Sequence, residues 1–277
     1  MINNKSIKLG HIQETLLLPL WGRAVESQKE NPLLIDKTAV KILHEIDYDF
    51  STIAKNIHPL TRLAWVARSL YFDREIIKYL EKYPNATVVN IGCGFDTTFE
   101  RIDNGKVIWF DLDLPDVIEL RRQYILETER RKFISGSVFG NNWYSEIANK
   151  EQVILFLAGV IYYFKEEDVK ILFKEFVDHF GSVDILFDYC SIKGMKISNK
   201  KVLEQGGMDQ KAKLVWGIND INKIAKWDER IKIVNTMSMY KDIRKNYPPL
   251  KRLGMMITDL INIMSLCHIT ISDKNDM

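Results

Sequence analysis

Apolar residues recur at two different periods along this chain, and the change of period falls near residue 84. Before it, segments 37–46 and 63–80 carry apolar residues three and four apart, which predicts helices, the second stopping before Pro84 and Asn85. From Thr87 the runs TVVNIG, KVIWFDLD, KFISGSV, QVILFLAG and VDILFDYC are short and β-rich. Stretches with helical spacing separate them, among them LPDVIELRRQYILETERR and KEEDVKILFKEFVDHF. Strand alternating with helix predicts parallel βαβ units with right-handed crossovers, and the nearly continuous apolar strands predict helices on both faces of the sheet.

After Cys190 the pattern loosens into SIKGMKISNKKVLEQGGMDQ, followed by a helix-like WGINDINKIAKWDERI. Two later runs, IKIVNTMSMY and LCHITISD, flank the helical pattern PLKRLGMMITDLINIM and bring the strands to about seven. The predicted fold is a doubly wound α/β domain with a seven-stranded, mostly parallel sheet. It divides into an N-terminal helical cap (1–84), a cofactor-binding core (85–190), a lid insertion (191–230) and C-terminal strands and helix (231–277).

Composition narrows the function classes. With 277 residues, 46% of them apolar, the chain can bury a large core. Its 39 Lys plus Arg nearly balance 37 Asp plus Glu, so nothing points to nucleic acid as a partner. No apolar run approaches the ~18 residues of a membrane span, and no signal-peptide cleavage pattern opens the chain, so the cytoplasm is the expected compartment. Cys93, Cys190 and Cys267 form no CxxC pair and have no histidine at ligand spacing, which predicts buried reduced thiols and no metal.

The chemistry concentrates where Val88-Val89-Asn90-Ile91 breaks into Gly92-Cys93-Gly94-Phe95-Asp96-Thr97. Glycines after a first strand let backbone approach a ligand at the switch point of an open sheet. The next strand ends in Asp111-Leu112-Asp113, placing acids 19 and 21 positions beyond Gly92, where a nucleoside's ribose needs acceptors. With period two, both carboxylates can face one side. Asp113, just before Leu114-Pro115, is also a good helix N-cap. An NAD-dependent oxidoreductase uses the same strand, loop and acid. Its third fingerprint glycine is replaced here by Thr97, however, and the Asp96 carboxylate would repel a pyrophosphate. S-adenosylmethionine has a ribose, an adenine and a sulfonium but no phosphate, and suits the loop better.

These residues resemble the leucine carboxyl methyltransferase family, more closely its bacterial branch of tetracenomycin-polyketide-type O-methyltransferases. The likeness runs through TLLLPLWGRAVES, NPLLIDKTAV, ARSLYFDREI, VVNIGCGFDTTFERI, WFDLDLPDVIELRR, FLAGVIYYF with EEDVK, and LFDYCS, in order. It implies a Rossmann-like class I methyltransferase that uses S-adenosylmethionine, releases S-adenosylhomocysteine and acts on a small-molecule acceptor. It implies that Arg68 pairs with the carboxylate of the cofactor's methionine part, Gly92 and Gly94 form the loop beneath it, Asp113 holds the ribose, and Ser137 with Val138 flank the adenine. Cys93, Asp96, Thr97, Asp111, Leu114, Ala158 and Gly159 complete the candidate cofactor-binding set. Two departures stand out: Ala158 occupies a position where the family usually has glutamate, and Thr98 one where the bacterial branch commonly has arginine.

Methyl transfer from a sulfonium needs alignment and exclusion of water more than proton transfer. A carboxylate acceptor is already ionised and requires no base, whereas a phenol or alcohol would benefit from one. None of His11, His44, His58, His179 and His268 sits in a motif, so no catalytic base is assigned. Trp21, Trp65, Tyr71, Tyr162, Tyr163 and Trp216 are candidate walls of an acceptor pocket. Beside the methyltransferase, two readings stay open: an NAD-type oxidoreductase, and a degenerate member that binds a cofactor or partner protein without catalysis.

Overall fold

A computed structural model describes residues 13–147, 151–204 and 212–272. His11, the first residues of the predicted cap, part of the predicted lid and the last residues of the C-terminal segment lie outside the described residues.

Among the described residues a 3-10 turn, Gln13–Leu16, and four α-helices precede the sheet: α1 (Leu17–Ser27), α2 (Lys37–Glu45), α3 (Ser51–Asn56) and α4 (Pro59–Lys82). The last begins four residues before the apolar spacing does. Pro59 has the backbone angle a first helical turn needs, and the His58 ring accepts a hydrogen bond from Leu60 N. The strands are β1 (Thr87–Ile91), β2 (Ile108–Asp113), β3 (Arg131–Ser135), β4 (Val153–Leu157), β5 (Ser182–Cys190), β6 (Ile231–Ser238) and β7 (Met264–Ser272). They form one seven-stranded sheet in the order β3-β2-β1-β4-β5-β7-β6. The first five are parallel, and β7 runs antiparallel to both β5 and β6. Crossovers include α5 (Thr98–Ile102), α6 (Pro115–Arg121), α7 (Trp143–Glu146) and α8 (Glu166–His179). α9 (Ile192–Ser198) follows β5, and α10 (Pro249–Leu260) joins β6 to β7.

Period two along each strand divides the core between the two faces. Val89, Ile91, Leu155 and Leu157 pack with Phe173 and Phe176 of α8, whereas Val88, Ile154 and Phe156 pack with Leu63, Phe72 and Ile76 of α4. Burial on both faces is why these strands read as unbroken apolar runs.

Two predicted helices shorten. LPDVIELRRQYILETERR is helical only through Arg121, after which Gln123 N and Tyr124 N bond back to Leu120 O and Arg121 O in a tight turn. The helix-like run after Trp216 becomes a single 3-10 segment, Ile221–Lys226, started by the Asp220 side chain accepting from Asn222 N.

Candidate functional site

Strand order reverses between β1 and β4, and the loops leaving these two strands splay apart there. Gly92 leaves β1 at φ +67° and Gly159 follows β4 at φ +84°, both in the left-handed region. A Cβ on Gly92 would lie 2.5 Å from Val160 Cγ2, and one on Gly159 would lie 2.7 Å from Arg68 Nη1. Only glycine fits at either point.

These two glycines floor a cavity of about 630 Å³. Arg68, Ala158, Tyr162, Tyr163 and Asp188 line its inner end; Leu18, Pro19, Trp65, Ile197, Val202, Leu203 and Leu214 build apolar walls; Lys55, His58 and Lys201 add exposed basic groups. The volume and the mostly apolar lining with a few convergent polar groups suit a small-molecule site.

A compact polar cluster anchors the inner end. Arg68 Nη1 donates to Asp188 Oδ2 at 3.0 Å and to the Tyr162 hydroxyl at 3.3 Å. Gly159 N donates to Asp188 Oδ1 at 2.6 Å, so one carboxylate ties β5 to both the loop after β4 and helix α4. Burial alone would lower the Arg68 guanidinium's pKa, but Asp188 and Tyr162 more than offset it and hold the guanidinium above its ordinary value. Burial also pushes the Tyr162 and Tyr163 phenols up, which keeps them protonated at neutral pH.

Asp113 ends β2 beside the glycine loop. Its Oδ2 accepts from Gly94 N at 2.7 Å and its Oδ1 from Leu114 N at 2.8 Å, which fixes both loops relative to each other. Burial pushes its carboxyl up to about 6, although those two amides work in the other direction. The two acids of β2 differ in their partners. Asp111 is fully buried and takes Arg131 Nε at 2.7 Å, Arg121 Nη2 and Asn90 Nδ2 at 3.1 Å, and Trp109 Nε1 at 3.0 Å. Neither Asp111 nor Asp113 is among the residues that line the cavity, and two arginines from later elements hold Asp111 inside the protein.

The remaining loop residues brace the turn. Cys93 is buried among Leu17, Leu20 and Phe95, and its thiol is pushed well up by that burial. Asp96 accepts from Thr98 N and Thr98 Oγ1, starting α5. Thr97 Oγ1 donates to Asp36 Oδ2 at 2.5 Å, the same oxygen that takes Arg23 Nε and Arg101 Nη1. Arg23 also reaches Phe95 O, so the helical cap is fastened directly to the loop. Leu16 packs over Gly94, where an added Cβ would meet its Cδ2 at 2.7 Å.

Ser137 and Leu114 are exposed and Val138 is half-buried against the core, all outside the cavity lining. Of the aromatic candidates, Trp65, Tyr162 and Tyr163 line the cavity. Trp21, Tyr71 and Trp216 do not: each is buried in a hydrophobic cluster, where its apolar spacing places it. Asp188, Lys55, His58 and Lys201 reach the cavity without having been singled out for it. An acid inside the apolar run VDILFDYC was the one signal available, since a buried charge is costly unless it has work or a partner. Among the described residues no group of His, Cys, Asp and Glu is arranged to hold a metal ion, and no helix is long and apolar enough to cross a membrane.

A parallel sheet with an antiparallel far edge, opening a glycine-floored cavity at its switch point, is the Rossmann-like arrangement of S-adenosylmethionine-dependent methyltransferases. The fold is shared with the crystal structure of the plantazolicin methyltransferase BamL in complex with a triazolic desmethylPZN analog and SAH (TM-score 0.50, 11% identity, covering 95% of this chain and 98% of that one). In sequence, the chain is similar to the tetracenomycin polyketide synthesis O-methyltransferase TcmP of Streptomyces glaucescens, 31% identical over 185 residues, 66% of this chain and 68% of that protein. It is also similar to the S-adenosyl-L-methionine-dependent methyltransferase dpfgK of Gibberella zeae, 26% identical over 194 residues, and spans 65% of that protein's length. The leucine carboxyl methyltransferase family model matches residues 17–177. The chain belongs to the leucine carboxyl methyltransferase family and is an S-adenosylmethionine-dependent O-methyltransferase. Nothing among these likenesses supports an oxidoreductase or a binding protein without catalysis.

Proposed function

We propose that this protein methylates a carboxylate oxygen of a small, largely apolar molecule held in the cavity above Gly92 and Gly159. The observation that carries the reading is the cavity itself, with Arg68 and two left-handed glycines at its inner end and Lys55, His58 and Lys201 among its lining residues. Cationic side chains beside apolar walls suit an amphiphilic acid, and the name of the matching family points to the same acceptor group.

Arg68 would hold the carboxylate of the cofactor's methionine end, Gly92 and Gly159 would admit its backbone-close approach, and Asp113 would receive the ribose hydroxyls, with Ser137 and Val138 toward the adenine. When bound, S-adenosylmethionine supplies an electrophilic methyl on a sulfonium that leaves as a neutral thioether. The protein's part is to align the acceptor oxygen with that methyl and to keep water out, which Leu18, Leu203 and Leu214 of the walls favour. Tyr162 and Tyr163, held protonated, serve as hydrogen-bond donors and not as bases. A carboxylate acceptor makes that sufficient, since it arrives ionised. We place the reaction in the cytoplasm, a reading supported by the three free, buried cysteines.

Incubation with methyl-labelled cofactor and a panel of apolar carboxylic acids, phenols and alcohols tests the reading. Label released as methanol on mild base treatment identifies a methyl ester, the expected result; label that withstands base identifies an ether and would overturn the carboxylate assignment.

A further inference from the structure

We infer that Asp188 receives the ammonium group of the cofactor's methionine end, as the counterpart of Arg68 on its carboxylate; the inference rests on the S-adenosylmethionine reading above. An amino acid moiety is a zwitterion at neutral pH, so a pocket that offered it only a guanidinium would hold one charge and repel the other. In a low-dielectric cavity that repulsion is substantial.

Asp188 is placed to cancel it. It is fully buried in strand β5, yet lines the same cavity as Gly92, Gly159 and Arg68. Its donors are Arg68 Nη1, Gly159 N and, at 3.4 Å, the Tyr162 hydroxyl. A carboxylate has about four lone-pair sites, which leaves room for one strong donor. β4 pairs with β5 at Leu157 and Phe187, so Asp188 stands beside Ala158, which offers no acid of its own. The other carboxylate lining the cavity among the described residues, Asp259 on α10, accepts from Tyr240 N through Oδ1, has Arg244 Nη1 3.8 Å from Oδ2 with no hydrogen bond to that oxygen, and takes no part in the Arg68 cluster. With the zwitterion seated, guanidinium, Asp188, ammonium and ligand carboxylate alternate in sign, and each contact joins opposite charges.

The arrangement also assigns the Arg68–Asp188 pair a purpose beyond packing. A buried ion pair adds little net stability over an apolar pair of similar volume, so its presence at the cavity is better explained by the ligand it is set to receive.

Calorimetric titration with two ligands tests this: S-adenosylhomocysteine, and its analogue with hydrogen in place of the amino group. The wild-type protein is expected to bind the deaminated analogue roughly ten- to a hundredfold more weakly, the range for one charge-assisted contact. In Asp188→Asn, which keeps an acceptor for Gly159 N, S-adenosylhomocysteine weakens and the two ligands bind within about threefold of each other. Equal binding of both ligands by the wild type overturns the inference, as does an Asp188→Asn protein that keeps the full preference. If the substitution prevents folding, judged by its melting curve, the wild-type comparison decides alone. Failure of the wild type to bind either ligand would overturn the cofactor reading together with the inference, an outcome distinct from equal binding.

Discussion

Asp111 on β2 and Asp188 on β5 are both fully buried and both paired with arginine, yet their surroundings differ in kind. Asp111 is saturated: two guanidiniums, an indole N–H and an amide N–H surround it, and it is not among the residues that line the cavity. Asp188 has one guanidinium, one backbone amide and a distant hydroxyl, and is among the residues that line the cavity at the switch point. Saturation marks a carboxylate that holds the fold together. A carboxylate that keeps a lone-pair site and lines the cavity is placed to meet a ligand.

The largest effect should come from the saturated side. Asp111→Ala strips the partner from Arg121 and Arg131 while both remain buried, and is expected to cost about 3–5 kcal/mol of stability, read from urea unfolding midpoints. A loss under 1 kcal/mol would show that the cluster is not structural. The cofactor side should respond in binding instead. Asp113→Ala is expected to weaken S-adenosylhomocysteine more than about tenfold, with little change in the unfolding midpoint; an unchanged dissociation constant removes Asp113 from the site.

Acidity sharpens the contrast. Asp113 titrates near 6, and its ionised form is the one that accepts ribose hydroxyls. The complex therefore favours loss of the proton, and affinity falls as pH drops through that value, by about tenfold between pH 7.5 and pH 5. Asp113→Asn should abolish the dependence, and a variant that retains it would place the titrating group elsewhere. Smallest is Tyr162→Phe, which removes one hydroxyl from Arg68 and Asp188. About fivefold weaker cofactor binding is expected by calorimetry, the equivalent of one ordinary hydrogen bond; no change would make the hydroxyl incidental.

Much of this was legible in the sequence, for identifiable reasons. The sheet was legible because β1 and β4 are buried along their whole length and β5 along most of it, which leaves short runs dominated by apolar residues. Gly92 and Gly94 were legible because a left-handed turn admits few other residues. What separates Asp111 from Asp113 was not: the difference lies in their partners and depends on Arg121 and Arg131, which arrive from α6 and β3. Asp188 was hidden for the same reason. Its partner Arg68 lies 120 positions earlier, and until the fold brings them together an acid in an apolar strand has no visible role. Helix ends were the other weak point, because 3-10 turns such as the one after Arg121 preserve apolar spacing while abandoning the helix.

The central claim is best tested by a crystal structure of the protein with S-adenosylhomocysteine. The account predicts the amino acid end over Gly92 and Gly159 in contact with Arg68, and the ribose hydroxyls on Asp113. A ligand whose amino acid end lies away from Arg68, or whose ribose misses Asp113, would contradict it.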